Sequence, residues 1–445
     1  MSMSIIADLH IHSKYSRAVS QKMDLENIAY WASLKGINLV ATGDWTHPLW
    51  FREIKEKLKE TSPGIFQLKN YSQVNFILST EISSIYSHKG KTRRIHNLVF
   101  VPSLNTAEKI IKKLSNLGYN LLSDGRPIIG LSSKELLQLI LEVDKNAFLI
   151  PCHVWTPWFS LYGSKSGYDS IEESFEELSK YIFAIETGLS SDPIMNWQIK
   201  ELENRSIVSF SDAHSGQKLG REATVFIPLN KDRSDQSYSY YDIYKALKQD
   251  QDAKFKIGFT IEFFPEEGKY HWSGHRICGI RYSPDEVIQK GEICPKCGQP
   301  LTIGVENRVI KLSSKKLTTN DLLFVKNNTG LTFVYDKEKK HRPFVSIVPL
   351  LEVLNEIYNS PKKTENEYLR LTKELGSEFE ILLKKPYEEI EKVGGKKLKQ
   401  AIEIIRERKV YVDPGYDGVF GKVKIFTNQS LKTDEKPTTN QIALF

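Results

Sequence analysis

The sequence predicts an α/β fold, a mainly parallel sheet or barrel, followed by a small cysteine-bearing module and a more helical C-terminal region. Three observations predict it. Short apolar runs of strand type alternate with helical patterns up to about residue 258, as in a parallel sheet or barrel. Histidines and carboxylates recur directly after those runs, and three of the four cysteines fall in one short segment. With 445 residues, 40% hydrophobic and 26% charged, the chain has an ordinary globular balance. That excludes a disordered, fibrous or disulfide-scaffold protein. No run approaches the roughly 18 apolar residues a membrane helix needs. Met1–Leu9 lacks the basic-then-apolar pattern of a secretory signal. The net charge of +7 tolerates a polyanionic partner without requiring one.

Taken in order, Ile5–Asp8 is a short apolar run that ends in a polar loop. Asp24–Leu34 reads as a helix, with Asp24 placed to accept a first-turn N–H. Ile37–Thr42, Val74–Leu78, Ile95–Val101, Ala147–Ile150, Ile182–Ile185 and Ile207–Phe210 follow as strand-type runs. Thr106–Leu117, Ser132–Leu141, Ile171–Tyr181 and Ile194–Glu203 carry helical spacing between them. A barrel of about 200–250 residues fits this length. The chain therefore divides into residues 1–258, a turn-rich module over 259–309, a mainly helical region over 310–426 and a polar tail over 427–445. Helical periodicity marks Pro349–Tyr358, Glu365–Leu375 and Lys396–Arg408 in the third segment.

The strand ends hold the chemistry. His10 and His12 follow the first run, Asp44 and His47 the second, and Glu81 the third. His96 lies within a run; His153, Glu186, Asp212 and His214 follow later ones. At the mouth of an α/β barrel the C-terminal strand ends converge, so residues scattered in sequence would meet. Imidazole nitrogens suit zinc, manganese and iron, while carboxylates suit harder ions and can bridge two. Such a site activates water and neutralises charge at a phosphoryl group.

His10-x-His12, Asp44, Glu81, His96, His153 and Asp212-x-His214 resemble the polymerase and histidinol phosphatase (PHP) superfamily. The resemblance implies a distorted PHP-type (β/α)7 barrel, phosphoester hydrolysis and two or three divalent metals, Zn2+, Mg2+ or Mn2+. It implies His10, His12, Asp44, Glu81, His96, His153, Asp212 and His214 as ligands, Glu81 bridging, with Asp212, His214 and Glu81 catalytic. Two stretches depart from the family pattern. Ser13-Lys14-Tyr15-Ser16-Arg17 lacks the usual Asp, and Gly43-Asp44-Trp45-Thr46-His47 replaces an adjacent Asp-His, so His47 enters as a compensating ligand. His12-Ser-Lys-Tyr-Ser-Arg17, Thr42–Leu49 and Glu186–Pro193, with a downstream cysteine cluster, are similar to the endonuclease Q family. That resemblance spans roughly residues 5 to 427. It implies a cytoplasmic, nucleoid-associated repair enzyme that nicks DNA 5′ to deaminated bases or abasic sites.

His275-x2-Cys278 and Cys294-x2-Cys297 have the spacing of a closed tetrahedral zinc site, which is structural because no coordination position stays open. Cys152 reads as a buried free thiol. Tyr387–Arg408 reads as helix, Val393-Gly394-Gly395-Lys396, helix: a helix-hairpin-helix whose glycine amides can approach a DNA phosphate, with Lys396 and Lys397 beside them. Arg17 belongs to the family-like motif, and Arg93 and Arg94 to a basic loop between Glu81 and His96; all three are DNA-backbone candidates. Trp45, Trp155, Trp158 and Phe159 suit either an extruded base or barrel-mouth packing. The terminal Gln441-Ile442-Ala443-Leu444-Phe445 resembles a sliding-clamp-binding peptide of the bacterial β-clamp or PCNA type, with Gln441, Leu444 and Phe445 as contacts. Two alternatives stay open: a PHP-type small-molecule phosphoesterase, and a non-catalytic, clamp-tethered DNA-binding adaptor. Nothing in the sequence demands more than a monomer.

Overall fold

The computed structural model describes residues 4–230 and 237–426. Ile5–Asp8, fully buried, lies inside a ten-stranded sheet, parallel to Leu39–Ala41 and antiparallel to Ala223–Pro228. The sheet extends one way through Tyr71–Ile77, Ile65–Leu68 and Leu58–Ser62. It extends the other way through Phe255–Glu262, Phe344–Ser346, Thr332–Asp336 and Leu322–Lys326. A four-stranded sheet orders Ile128–Ile129, Ser79–His88, Lys91–Phe100 and Phe148–Pro151, and Ala184–Glu186 pairs in parallel with Ser206–Val208. The three sheets share one apolar interior, where Ile5, Ala7, Leu39, Leu98, Phe148, Ile150, Val208 and Phe210 form a single buried cluster. Among the described residues the ladders do not join into one closed ring.

The sheet is mixed, where the alternation of elements predicts a mainly parallel one. The reason is a set of direct reversals: Leu58–Ile77 folds as successive hairpins, and Ser79–His88 returns as Lys91–Phe100 in full antiparallel register. These strands are rich in Ser, Thr, Lys and Arg, so their apolar signal is weak. The helix expected over Ile194–Glu203 is instead Pro193–Trp197 and a 3-10 turn, Lys200–Leu202. The Asn196 amide donates to Ser191 Oγ and Asp192 O, which ties the first turn back on itself. Ile171–Tyr181 likewise splits into Ile171–Phe175 and a 3-10 segment, with Glu176 at φ 48° between them. The helix Pro48–Lys57 is absent from the sequence reading; His47 caps it through Nδ1.

The strand Phe255–Glu262 passes through residue 258 and pairs on one side with Ala223–Pro228 and on the other with Phe344–Ser346. The C-terminal helices Leu350–Tyr358, Pro361–Glu374, Glu378–Leu383 and Tyr387–Arg406 share a buried cluster with the helix Leu25–Lys35. A buried ion pair, Lys35 Nζ to Glu378 Oε2 at 2.7 Å, crosses that junction. Asp24 caps Leu25–Lys35 by accepting from Asn27 N. Tyr387–Arg406 is broken at Gly395, whose φ of 80° and ψ of 169° a side-chain-bearing residue would adopt only under strain. Among the described residues, no helix is long and apolar enough to cross a membrane.

Candidate metal centre

The strand end after Ile5–Asp8 and the loop after Ser206–Val208 bring His10, His12 and Asp212 together; their ligand atoms lie within 4.8 Å of one another. Glu81, His96 and His153 form a second such group, and His10, Glu81 and Cys152 a third. Glu81 stands between the first two. Its Oε1 lies 2.5 Å from His96 Nδ1 and 3.1 Å from His153 Nε2. Its Oε2 lies 3.2 Å from His12 Nε2 and 3.9 Å from His10 Nε2.

Carboxylates behind the rings fix the imidazoles. His10 Nδ1 is 2.9 Å from Glu186 Oε1, and His12 Nδ1 is 3.0 Å from Asp44 Oδ1. In the tautomer that donates Nδ1–H to its carboxylate, each Nε2 is an acceptor. Against burial, Glu186, Asp212 and Asp44 raise both imidazoles well above their ordinary range; the proton so held is one that a metal would displace. The two Nε2 nitrogens face Asp212 Oδ1 at 3.6 and 3.2 Å, and all three atoms are buried without a hydrogen-bond partner. Acceptors converging on acceptors leave a place for a cation, so the donor set fits a divalent metal. Burial lowers His96 to about 4, against the opposing pull of Glu81, so its imidazole is neutral at neutral pH, as a ligand must be. Burial alone would raise the Glu81 carboxyl; His96 and Arg126 outweigh it and hold it well below its ordinary range.

The remaining expected ligands stand at different distances. His214 is at the rim, 35% exposed, with its ring 4.8 Å from that of His12 and its Nδ1 donating to Asp212 O. Asp44 is brought behind His12 instead of into the donor group; its Oδ2 accepts from Ser13 N and Oγ and from Ser16 Oγ at 2.6–2.9 Å. His47 is not brought in: its Nε2 donates to Leu122 O, its Nδ1 caps a helix, and its ring stacks on Tyr15. His275, Cys278, Cys294 and Cys297 come together with their ligand atoms within 4.8 Å.

Arg94 lies over Phe159, which packs on His96 at 4.8 Å, so it shares the face of the donor group. Arg93 turns to the other face, over Tyr168 at 3.9 Å and donating to Gly167 O. Both stand on a long hairpin where the sequence reading has a loop. Arg17, 73% exposed, reaches Asp124. Gly395 has open space around it, and Lys396 and Lys397 are exposed. Trp45 and Trp155 are fully buried, which gives them to packing; Trp158 and Phe159 remain part-exposed near the rim. Gln441, Leu444 and Phe445 lie outside the described residues.

One site residue, Arg126, escapes sequence reasoning, as does the role of another, Glu186. Glu186 stands at a strand end and inside the family-like motif, but its type alone does not separate ligand from ring-orienting partner. Arg126, whose Nη1 donates to Glu81 Oε2 at 3.0 Å, sits on a loop with no signal of its own.

Residues 349–409 match the family described as the MJ0043 C-terminal domain. An uncharacterised protein, MJ0043 of Methanocaldococcus jannaschii, is 29% identical over 278 residues; the match covers 60% of this chain and 31% of that protein. The chain thus spans about a third of that relative's length. Uncharacterised YqxK of Bacillus subtilis is 29% identical over 440 residues, 94% of this chain and 99% of YqxK. Among solved structures, the lesion-specific endonuclease PfuEndoQ of Pyrococcus furiosus superposes with a TM-score of 0.79 at 30% identity, covering 97% of both chains. An endonuclease Q complex with a 27-mer duplex carrying an abasic lesion at the active site gives the same score and identity, over 97% of this chain and 98% of that one.

Proposed function

The chain belongs to the endonuclease Q family, and from that premise we propose that it is a metal-dependent DNA repair endonuclease that hydrolyses the phosphodiester 5′ to a deaminated base (uracil, hypoxanthine or xanthine) or an abasic site. The observation that carries this reading is the convergence of His10 Nε2, His12 Nε2 and Asp212 Oδ1, buried and unpartnered, beside Glu81. His10, His12 and Asp212 would hold one divalent metal; His96 and His153 a second; Glu81, with an oxygen toward each group, would bridge them. When bound, Zn2+, Mg2+ or Mn2+ supplies a water of lowered pKa and neutralises charge gathering on the phosphate. Asp212 would orient the attacking water and His214, at the rim with its Nδ1 bonded to Asp212 O, would take up the proton at Nε2. Glu186 and Asp44 keep the rings of His10 and His12 in one tautomer.

The other segments fit DNA. Residues 1–258 supply the PHP-type barrel and its chemistry, 259–309 a module folded around a structural Zn2+, and 310–426 a helix-hairpin-helix contact. Arg94 stands on the face of the donor group and Arg17 is exposed beyond it. Arg93, turned to the other face, would meet DNA backbone only away from that group, while the Gly394 and Gly395 amides, with Lys396 and Lys397, would hold backbone phosphate further along. The tail would bind a sliding clamp through Gln441, Leu444 and Phe445, tethering a monomeric enzyme to DNA in the nucleoid. Calorimetry of full-length and tail-deleted protein against the host's clamp checks this: micromolar-range binding on the order of short-peptide docking is expected for the first and none for the second.

The test is incubation of labelled duplexes, with and without uracil, hypoxanthine or an abasic site, with Mg2+, Mn2+ or Zn2+. A lesion-dependent nick 5′ to the damage, leaving a 3′-hydroxyl, is the expected result. Hydrolysis of small phosphomonoesters with intact duplexes would make it a small-molecule phosphoesterase, and duplex binding without any cleavage an adaptor.

A further inference from the structure

Arg126 has no role in the account so far beyond its contact with Glu81. It lies on the segment Ser123-Asp-Gly-Arg-Pro127, which is pinned from several sides. Gly125 packs so closely on the residues behind His12 that a Cβ there would lie 2.4 Å from Ser16 Oγ and 2.5 Å from Asp44 Oδ2. Gly125 N donates to Tyr15 O at 3.0 Å, and its carbonyl accepts from Thr46 Oγ1. Pro127 restricts the backbone of Arg126, and Pro127 O accepts from Ser83 N at 3.0 Å, two residues beyond Glu81. Asp124 Oδ1 accepts from Arg126 N at 3.2 Å and from Arg17 N at 3.2 Å. One aspartate therefore holds the backbone of both Arg126 and Arg17.

The guanidinium is held at one end only. Nη1 donates to Glu81 Oε2, and no other side-chain hydrogen bond of Arg126 is formed among the described residues. The side chain is 26% exposed, whereas the Glu81 carboxylate is fully buried. A counter-ion for Glu81 would need only that one bond and would gain from full burial. Arg126 instead carries unspent, planar donors at the open side of a buried anion, where an incoming phosphodiester would present its non-bridging oxygens.

We propose that Arg126 is a catalytic residue that grips a non-bridging oxygen of the scissile phosphate. This rests on the endonuclease reading above. The grip is electrostatic and preorganised: the loop and the Glu81 bond fix the guanidinium before DNA arrives, so its charge is available as negative charge builds on the phosphate.

The experiment uses the full chain, wild type and the variants Arg126→Met and Arg126→Lys, loaded with the same metal. Single-turnover nicking of an abasic duplex at saturating protein, duplex affinity and bound metal per chain are measured together. For Arg126→Met the expected result is metal content equal to wild type, affinity within about threefold, and a nicking rate lower on the order of 100-fold or more. Arg126→Lys keeps the charge and loses the fork, so its rate falls between the two; should the Met variant fail to fold, the Lys variant decides alone, at about tenfold below wild type with normal metal content. Nicking by either variant at the wild-type rate overturns the proposal. So does a rate loss that follows loss of bound metal, which would reduce Arg126 to a support for Glu81. A wild-type protein that nicks no lesion duplex defeats the endonuclease reading itself, and this assignment falls with it.

Discussion

Asp212 Oδ1 faces both His10 Nε2 and His12 Nε2, as Glu81 Oε2 does from the other group. Removing the Asp212 carboxylate takes away the negative charge that balances the metal and orients water, while leaving the Arg94 face and the Lys396–Lys397 end untouched. Asp212→Ala should lower nicking by on the order of 1000-fold with duplex affinity preserved, measured by single-turnover cleavage and by fluorescence anisotropy. Asp44 makes a different prediction because its carboxylate is spent on His12, Ser13 and Ser16. Asp44→Asn should weaken metal affinity by about 10–100-fold while the metal count at saturation stays unchanged; a lost ion at saturating metal would make Asp44 a direct ligand. The grouping of His10, His12, His96 and His153 was legible because each follows or lies in a strand-type run, but His47 follows one too and caps a helix instead. The part of Asp44 was not legible, since it depends on Ser13, Ser16 and Gly125, residues joined only by the fold.

At the scale of elements, the paired cysteines were the clearest signal: spacing alone indicated the grouping of His275, Cys278, Cys294 and Cys297 that the structure contains. The apolar cluster beside these four residues is small, Tyr282, Val287, Leu301 and Cys294 itself, so a bound metal would supply part of the local folding energy. Cys294→Ser should lower bound zinc by about one ion per chain and lower the melting temperature, read by elemental analysis and scanning calorimetry. The buried end of Phe255–Glu262 was not legible. Glu262 and Glu222 sit among Thr187, Ser209 and Thr260, where Ser209 Oγ donates to Glu262 at 2.5 Å and Thr187 Oγ1 to Glu222 at 3.3 Å. Burial pushes the Glu262 carboxyl from its ordinary 4.5 up to about 8. The native state therefore keeps a proton that the unfolded chain releases near 4.5, so this contribution is full below 4.5 and is lost as the pH rises through about 8. Glu262→Gln should remove that loss: relative to wild type, its melting temperature should rise between pH 5 and 9, on the order of a few degrees for a domain of this size. A difference that does not change with pH would contradict the raised carboxyl. Strand boundaries in the long Ser79–Phe100 hairpin escaped the sequence reading for a plainer reason, since its outer half carries Lys, Thr and Arg instead of an apolar run.

For the whole molecule, the sequence indicated an α/β chain with helices gathered late, and both are present. What it could not convey is how the late helices dock. Trp31 beside Tyr368 and the Lys35–Glu378 pair join the first helix to the C-terminal ones, contacts more than 300 residues apart in sequence. Those contacts pack the helix that carries the Gly395 break and its lysines into the same buried cluster as the first helix. Under the proposed function the buried donors hold metals that cut DNA at damage. The most direct measurement is to strip the donor group of metal, return it in steps, and follow bound metal and nicking of an abasic duplex in the same samples, with the undamaged duplex alongside. Nicking of the abasic strand should rise with occupancy of the donor group while the undamaged duplex stays intact throughout. Full nicking with the donor group empty of metal, or equal cutting of damaged and undamaged duplexes, would contradict the proposed function.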